Sequence, residues 1–361
     1  MVKRCSKCIL PETVPNIKFD LDGVCNYCKE YNKPDGRRGI NYEEKGKNFE
    51  VFMETYIRKR KENNLKYDAL VPISGGRDSS YIAYKLSEKM KILCVNYENP
   101  FSSEQAKKNI EKVIKASNSD ILFFNYKNEQ HEKSFRNNLK AWIKRPELKT
   151  MGLLCLACKP MYLEFFRIAE ENDIGLIVDG SNPNEVTTFK VESRVGAGAK
   201  RHYKMRAMIN MGREMLRNYS YLKPCNFLPG IKTLMSLDGN RIYLRYRYPK
   251  IYKIGYFYFH QYSEKKIEET LGKIGWEKAS ENKSPWRFDC EIDSVKNYLF
   301  MKIIGATEKD DLFSKNIRDG LMTREEAMKR LEEGEVNMDI VRRVLEKIQM
   351  KLSDLEDIVK S

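Results

Sequence analysis

The sequence predicts an α/β fold: a doubly wound parallel sheet with an N-terminal four-cysteine zinc module and a helical C-terminal region. Three observations predict it. Short apolar runs alternate with helical patterns through the middle of the chain, which is the order of strands and helices in a parallel sheet. Two Cys-x-x-Cys pairs lie in the first 30 residues, and amphipathic helical patterns fill the end of the chain. We expect the three parts to span residues 1–46, 47–225 and 226–361.

Length and composition are those of a soluble globular protein. The chain has 361 residues, of which 41% are hydrophobic and 32% are charged, enough for one large domain with appendages or for two domains. Its apolar runs are only a handful of residues long, so we expect no membrane span. The first residues lack the apolar stretch of a signal peptide, and we therefore expect a cytoplasmic protein.

The net charge of +15 favours a polyanionic ligand or partner. RNA, a nucleotide-sugar and an acidic partner protein are the classes that such a charge attracts. A solvated lysine face explains the same charge equally well, so the charge alone does not choose among them.

The first element is a pair of thiol knuckles. Cys5 and Cys8 are followed, after sixteen intervening residues, by Cys25 and Cys28. Two tight pairs at this distance suit tetrahedral zinc–thiolate geometry, and four protein ligands would make the ion closed and structural. An iron–sulfur cluster and two unrelated thiol pairs are the alternatives.

The central element is a glycine-rich turn between a strand and a helix. The apolar run 68–73 predicts a buried strand, and a helical pattern follows with Ile82, Ala83, Leu86 and Met90 on one face. Between them stands the string Ser-Gly-Gly-Arg-Asp-Ser-Ser, residues 74–80. Glycines let the backbone approach a phosphate, and the first N–H groups of the helix point at it. The alternative is a plain tight turn that contains two glycines.

The whole string resembles the SGGxDS loop of the PP-loop ATP pyrophosphatases, whose sheet is of the adenine nucleotide alpha-hydrolase type. The resemblance implies that ATP is cut between its α and β phosphates and that an acceptor oxygen is adenylated. It implies catalytic roles for Ser74, Arg77 and Asp78, with Asp78 placing Mg²⁺ rather than acting as a base. The nucleotide contacts that it implies at the turn are made by Ser74, Gly75, Gly76, Asp78, Ser79 and Ser80. The string is not a P-loop, because no Gly-Lys-Ser/Thr follows.

The N-terminus carries a second resemblance, in residues 11–20 and 23–28. Together with the loop, these residues resemble the N-acetyl sugar amidotransferase family, specifically over the first eighty residues and loosely after that. Enzymes of that family convert an acetamido group of a sugar to an acetamidino group for surface glycans. The resemblance implies a nucleotide-sugar substrate and a separate ammonia-supplying subunit similar to the glutaminase and cyclase pair of histidine biosynthesis.

Two more strands and their helices continue the alternation. The run 49–61 predicts a helix before the central turn, and 91–96 and 121–125 predict strands after it. Between those strands, Ser102 is expected to cap a helix, with Gln105 completing a capping box. Ligands bind at the carboxyl ends of strands in such sheets. The PP-loop resemblance implies that Asn96 and Tyr97, at one such end, contact adenine or ribose.

A further strand leads to a second polar turn. The run 174–179 predicts a buried strand that ends in Gly-Ser-Asn-Pro-Asn-Glu, residues 180–185. This turn resembles the Gly-x-Asn-x-x-Asp/Glu element that faces the PP-loop, which implies nucleotide contacts by Gly180, Asn182 and Glu185. Asp179 or Glu185 would hold the Mg²⁺ that bridges the phosphates. The alternative is an ordinary helix N-cap loop.

Cys155 and Cys158 form a third Cys-x-x-Cys pair, which suits a structural thiol pair, a redox pair or half of a metal site. PP-loop enzymes that thiolate tRNA carry such a pair at a similar place, joined by a third cysteine on a 4Fe–4S cluster. That resemblance implies Cys225 as the third ligand, with Cys290 as a substitute. The alternative function is therefore a tRNA sulfurtransferase. A non-enzymatic zinc-ribbon nucleic-acid binder is a third hypothesis, which the intact loop string disfavours.

The remaining segments give weaker signals. The Gly- and Lys-rich stretch 190–204 suits a mobile loop over an anionic substrate or a plain connector. Alternating Arg and Tyr residues in 241–262 suit base stacking or, more simply, pairs in a half-buried sheet. The stretch 284–290 is a second candidate piece of the site. Near the end, Thr323 is expected to cap a helix, and 336–359 to form one amphipathic helix.

Overall fold

A five-stranded parallel sheet lies at the centre of the fold. The computed structural model describes residues 2–31, 41–182, 203–224, 226, 230–232, 235, 241–279, 287, 289–334 and 336–360. Within them the strand order is β3-β2-β1-β4-β5, and every neighbouring pair is parallel. The strands are β1 (Ala69–Pro72), β2 (Ile92–Tyr97), β3 (Asp120–Phe124), β4 (Leu176–Asp179) and β5 (Tyr252–Gly255).

The helices follow the alternation that the sequence predicts. In chain order they are α1 (Asn26–Tyr31), α2 (Tyr42–Glu62), α3 (Arg77–Ser87), α4 (Glu104–Ser117), α5 (Gln130–Lys144), α6 (Met161–Glu171), α7 (Tyr203–Arg217), α8 (Arg241–Arg247), α9 (Glu264–Gly272), α10 (Ile292–Ile304), α11 (Glu308–Arg318), α12 (Arg324–Glu333) and α13 (Met338–Lys347). Short 3₁₀ turns span Leu148–Cys155, Tyr219–Leu222, Tyr256–Tyr258 and Leu352–Lys360.

Helices cover both faces of the sheet, which confirms the doubly wound α/β class. Because side chains alternate along a strand, Val71 of β1 packs with α2, α3, α4 and α9, whereas its neighbour Leu70 packs with α6 and α8. Both faces are therefore buried, as a parallel sheet requires. The four sheet strands that the sequence predicts are present, with ends shifted by one or two residues.

A further core joins the two ends of the chain. The four N-terminal cysteines are buried together with apolar side chains of α5, α10 and α13, among them Trp142, Leu299 and Val344. The N-terminal cysteine segment therefore packs on the helical C-terminal region, which is the second part of the predicted fold class.

Three local predictions are wrong. Ser103 rather than Ser102 caps α4, by accepting a hydrogen bond from the Ala106 backbone N–H at 3.2 Å. The Arg/Tyr stretch forms helix α8 before it enters strand β5, so the interpretation as sheet pairs is wrong for residues 241–247. The terminal amphipathic segment breaks after α13, where Gln349 adopts a φ of +56°.

None of the helices in the described part of the chain combines the length and the apolar character that a bilayer crossing requires.

Candidate functional site

The turn after β1 has a backbone that only glycine permits. Gly75 has a φ of +78°, and a Cβ atom built on it would lie 2.0 Å from the Ala106 carbonyl oxygen. Non-glycine residues rarely adopt this conformation, and no side chain fits that distance. The turn therefore packs closely against the start of α4.

Two side chains fix the orientation of the Gly75–Gly76 peptide. The Gly75 carbonyl accepts hydrogen bonds from Trp276 Nε1 at 3.1 Å and from Asn109 Nδ2 at 3.4 Å. In a trans peptide the N–H points away from the carbonyl, so the Gly76 N–H faces the opposite side of the loop. Its nearest acceptor is Ser74 Oγ, at 3.4 Å.

Two hydroxyl groups border the same side of the loop. Ser74 Oγ and Ser79 Oγ lie 3.1 Å apart, and the Ser74 backbone N–H donates to Ser79 Oγ at 3.1 Å. The loop thus collects one weakly used N–H, two hydroxyls and the positive end of α3. Such groups bind a phosphate.

The turn after β4 meets this loop from the other side. A Cβ atom built on Gly180 would lie 3.4 Å from Asp78 Cβ, in ordinary contact. The two turns therefore flank the crevice between β1 and β4, where the strand order reverses, and α/β sheets bind ligands at that crevice. Asp179 is engaged beside it, because its carboxylate is 2.7 Å from Lys253 Nζ and accepts from the Ser181 N–H at 3.0 Å.

Arg77 and Asp78 are placed in the wall behind the loop. The buried Arg77 guanidinium is 2.6 Å from Glu264 and 3.4 Å from Glu268, and its Nε donates to Asp78 Oδ1 at 3.1 Å. The Tyr262 hydroxyl also donates to Asp78 Oδ1, at 3.2 Å. Burial raises the pKa of Asp78, and the Arg77 charge opposes that shift. Contact of Arg77 with a pyrophosphate stays a prediction.

The residues at the carboxyl end of β2 are engaged in the frame of the site. Asn96 is buried and donates to the Ile73 carbonyl at 2.6 Å, one residue before the loop. The buried Tyr97 hydroxyl lies 2.9 Å from His131 Nδ1, and desolvation raises the pKa of this tyrosine. Asn96 thus holds the end of β1 in place. Contact of either residue with adenine or ribose stays a prediction.

The four N-terminal cysteines converge on one point. The Sγ atoms of Cys5, Cys8, Cys25 and Cys28 all lie within 4.8 Å of one another, and all four side chains are buried. The Cys8 and Cys25 backbone N–H groups point at Cys5 Sγ, at 3.4 and 3.2 Å. Four convergent thiols fit a tetrahedral metal ion with no open position. The identity of the ion as zinc stays a prediction.

The Cys155 and Cys158 pair has Cys290 as a neighbour. Burial raises the pKa of the Cys290 thiol, and the charges of Cys158 and Cys155 add to that effect. Within the described ranges, however, the three sulfurs do not form a compact set like the N-terminal four. Cys225 and Glu185 lie outside the described residues.

Several residues of the site were not found from the sequence. Trp276, Asn109, Tyr262 and Glu264 reach the loop from α4 and from the segment around α9, and no spacing in the sequence links them to it. Asp289, in the stretch considered as a second piece of the site, does lie beside the loop. Its Cγ would lie 3.2 Å from a Cβ atom built on Gly76.

Comparison with known proteins finds little. No family model matches the chain, and no curated protein matches it. Among solved structures, the chain is similar to an NH3-dependent NAD synthetase from Campylobacter jejuni subsp. jejuni NCTC 11168 in complex with the nitrate ion. The two are 13% identical over 55% of this chain and 95% of the other, with a TM-score of 0.27. This likeness is too distant to assign a function.

Proposed function

We propose that this chain is a PP-loop enzyme, an ATP-dependent, AMP-forming amidotransferase that acts on an N-acetylated, nucleotide-linked sugar. The observation that carries the proposal is the loop of residues 74–76. Gly75 packs closely against Ala106, and the Gly76 N–H and two serine hydroxyls lie on the side of the loop opposite Trp276. The string Ser-Gly-Gly-Arg-Asp-Ser-Ser at this place is the support for the PP-loop class.

The proposed reaction converts the acetamido oxygen into a good leaving group. An amide carbonyl is a poor electrophile, and ammonia does not displace its oxygen in water. Attack of the acetamido oxygen on the α phosphate of ATP forms a C–O–P bond and releases pyrophosphate. Ammonia then adds to the activated carbon, AMP departs with the former carbonyl oxygen, and loss of protons leaves the acetamidino group.

The chain's own residues mainly bind and orient the nucleotide. Ser74, Ser79 and the Gly76 N–H would hold the departing pyrophosphate, and the α3 N-terminus would offset its charge. Arg77 and Tyr262 orient Asp78 at the start of α3. The oxygen donors at the loop fit Mg²⁺, which would neutralise the phosphates when bound with ATP. No nucleophilic side chain is required.

The finer parts of the proposal rest on the resemblance of the N-terminal 80 residues. It supports the acetamido sugar as acceptor, and the net charge of +15 suits an anionic nucleotide-sugar. Nothing in the sequence resembles a glutaminase, so ammonia would come from a separate subunit. A cytoplasmic location and a zinc ion on the four N-terminal cysteines complete the proposal.

The test is an assay of AMP and pyrophosphate release from ATP. One arm supplies acetamido nucleotide-sugars with ammonia, and the other supplies tRNA with sulfide. We expect sugar- and ammonia-dependent AMP, reduced about 10²-fold by Ser74→Ala, since loss of one transition-state donor has that effect. Ser87→Ala, at the far end of α3, is the matched control and should retain activity. The proposal fails if no acceptor supports AMP release, or if Ser74→Ala turns over like the parent.

One observation favours the sulfur-transfer alternative. Cys290 interacts electrostatically with Cys155 and Cys158, and its Sγ accepts from Asn99 just beyond the carboxyl end of β2, at 3.3 Å. Three thiols near that end would suit an iron–sulfur cluster. An anaerobic absorption spectrum with a broad 4Fe–4S band, together with tRNA- and sulfide-dependent AMP release, would establish this function instead.

A further inference from the structure

The segment that carries Asp289 is fixed against the carboxyl end of β2. The Glu291 backbone N–H donates to the Phe101 carbonyl at 2.8 Å, and Asn99 Nδ2 donates to Cys290 Sγ at 3.3 Å. These bonds tie the residues on the C-terminal side of Asp289 to the turn between β2 and α4. Asp289 therefore has a defined place beside the loop.

The Asp289 carboxyl group lies directly in front of the glycine loop. A Cβ atom built on Gly76 would lie 3.2 Å from Asp289 Cγ and 3.3 Å from its Oδ2. The same point is 3.3 Å from Ser74 Oγ. A carboxylate oxygen and a hydroxyl oxygen thus border one small space in front of Gly76, and Asp289 remains partly exposed to solvent.

The position of the Asp289 charge bears on which ions can bind at the loop. The loop offers an N–H, two hydroxyls and a helix N-terminus, all of which attract an anion. A carboxylate at the same place repels a phosphate at short range. A divalent cation between them converts the repulsion into attraction, and carboxylate, hydroxyl and phosphate oxygens are the ligands that Mg²⁺ takes.

Other carboxylates around the crevice already have cationic partners. Asp78 Oδ1 accepts from Arg77, and Asp179 pairs with Lys253 at 2.7 Å. Glu264 is held between Arg77 and Arg330, at 2.6 and 3.2 Å. Among these described carboxylates, Asp289 is the one that a Cβ atom built on Gly76 would meet.

We infer that Asp289 is a ligand of the divalent cation that enters with ATP and bridges the nucleotide's phosphates to the loop. The inference rests on the proposed binding of ATP at this loop. It adds to the sequence prediction, which gives that role to Asp78 and to the second turn.

The test measures ATP affinity by calorimetry, with Mg²⁺ and with chelator, for the full chain and for Asp289→Asn. In the parent chain Mg²⁺ should tighten ATP binding. In Asp289→Asn that tightening should shrink at least about tenfold, the scale on which altered metal surroundings act. Affinity without Mg²⁺ should stay the same or rise, because one repelling charge is gone. Glu291→Gln, which removes a carboxylate two residues away that pairs with Arg343, should behave like the parent.

Three results would overturn the inference. The first is that Asp289→Asn keeps the full Mg²⁺ effect. The second is that it gains affinity equally with and without Mg²⁺, since the carboxylate would then only mimic a phosphate. If the parent binds no ATP in either condition, the proposed function fails together with the inference. Thermal unfolding checks each variant, and Asp289→Ser gives a second measurement if Asp289→Asn does not fold.

Discussion

Two single-methyl substitutions, Gly75→Ala and Gly76→Ala, separate the structural from the binding role of the loop. At position 75, a side chain at a φ of +78° costs about 1–2 kcal/mol. Its Cβ would start 2.0 Å from the Ala106 oxygen, so β1 or α4 must shift by about 1.4 Å to reach the 3.4 Å of an ordinary contact. Overpacking of this kind costs roughly 1–3 kcal/mol. The sum is about 2–5 kcal/mol, a large part of the roughly 5–15 kcal/mol that stabilises a typical domain.

At position 76 the same methyl group should leave the stability almost unchanged but weaken ATP binding. Gly76 has an ordinary φ of −68° and ψ of 164°, and its added methyl would meet Asp289 and Ser74 side-chain atoms at 3.2–3.3 Å. Side chains yield more easily than backbone, so the free energy of unfolding should fall by less than about 1 kcal/mol. The methyl group would, however, stand where a phosphate is expected, and ATP affinity should fall at least about tenfold.

Urea titration followed by circular dichroism measures the first effect, and ATP calorimetry measures the second. Both variants differ from the parent by the same methyl group, so each is the control for the other. The loop geometry is refuted if Gly75→Ala unfolds at the parent's urea midpoint. Undiminished ATP binding by Gly76→Ala would refute the assignment of the phosphate site.

Three further outcomes follow from buried groups. Glu264→Gln removes the carboxylate 2.6 Å from buried Arg77 and should lower the free energy of unfolding by about 2–4 kcal/mol. Glu268→Gln, which removes a carboxylate at 3.4 Å, should lower it by under about 1 kcal/mol in the same urea titration. Equal losses would contradict this assignment. Burial lowers the pKa of His131 to about 3, below its unfolded value of about 6.5, so its contribution is complete above about pH 6.5 and is lost as the pH falls toward 3. His131→Gln should flatten that part of the stability profile, and an unchanged slope would disprove the assignment. Cys25→Ser should abolish a metal content of about one ion per chain, measured by mass spectrometry, and lower the Tm; retained metal would count against the four-cysteine site.

The sequence predicted the sheet strands that carry a strong signal. Strands β1, β2 and β4 are almost wholly buried, so they appear as continuous apolar runs between polar turns. Strand β5 was not delimited within the stretch 241–262, because Tyr252–Gly255 is an edge strand with only partly buried side chains and a lysine at its second position. The residues Tyr-Lys-Ile-Gly of β5 form no apolar run, whereas β3, whose side chains are also only partly buried, was predicted from the apolar residues at 121–124.

The Arg/Tyr stretch was misassigned for a different reason. Alternating Arg and Tyr residues imitate the two-residue period of a half-buried strand. In the structure, Leu244 and Tyr248 lie four residues apart, and both are buried in the core on the α6 side of the sheet. That is the spacing of one helix face. The alternation was therefore a coincidence of composition, and the helical spacing of two buried residues was the better signal.

At the candidate site the sequence reached the loop but not its surroundings. The string 74–80 was identified because its residues are contiguous. The groups that orient it, Trp276 and Asn109, and the carboxyl group of Asp289 come from distant parts of the chain. Contacts across such separations depend on how helices pack, which local periodicity does not encode.

The sequence predicts a boundary at residue 46, yet contacts in the structure join the cysteine segment to the start of α3 through α12. Arg324 donates to the Cys8 carbonyl at 3.1 Å, and Arg330, on the same helix, is 3.2 Å from Glu264. Glu264 in turn is 2.6 Å from Arg77 at the start of α3. Because these charged side chains are partly or wholly buried, each loses a compensating partner if the chain of contacts is broken. The cysteine segment therefore supports the loop's wall as part of one packed body, and its removal should destabilise the loop and not merely shorten the chain.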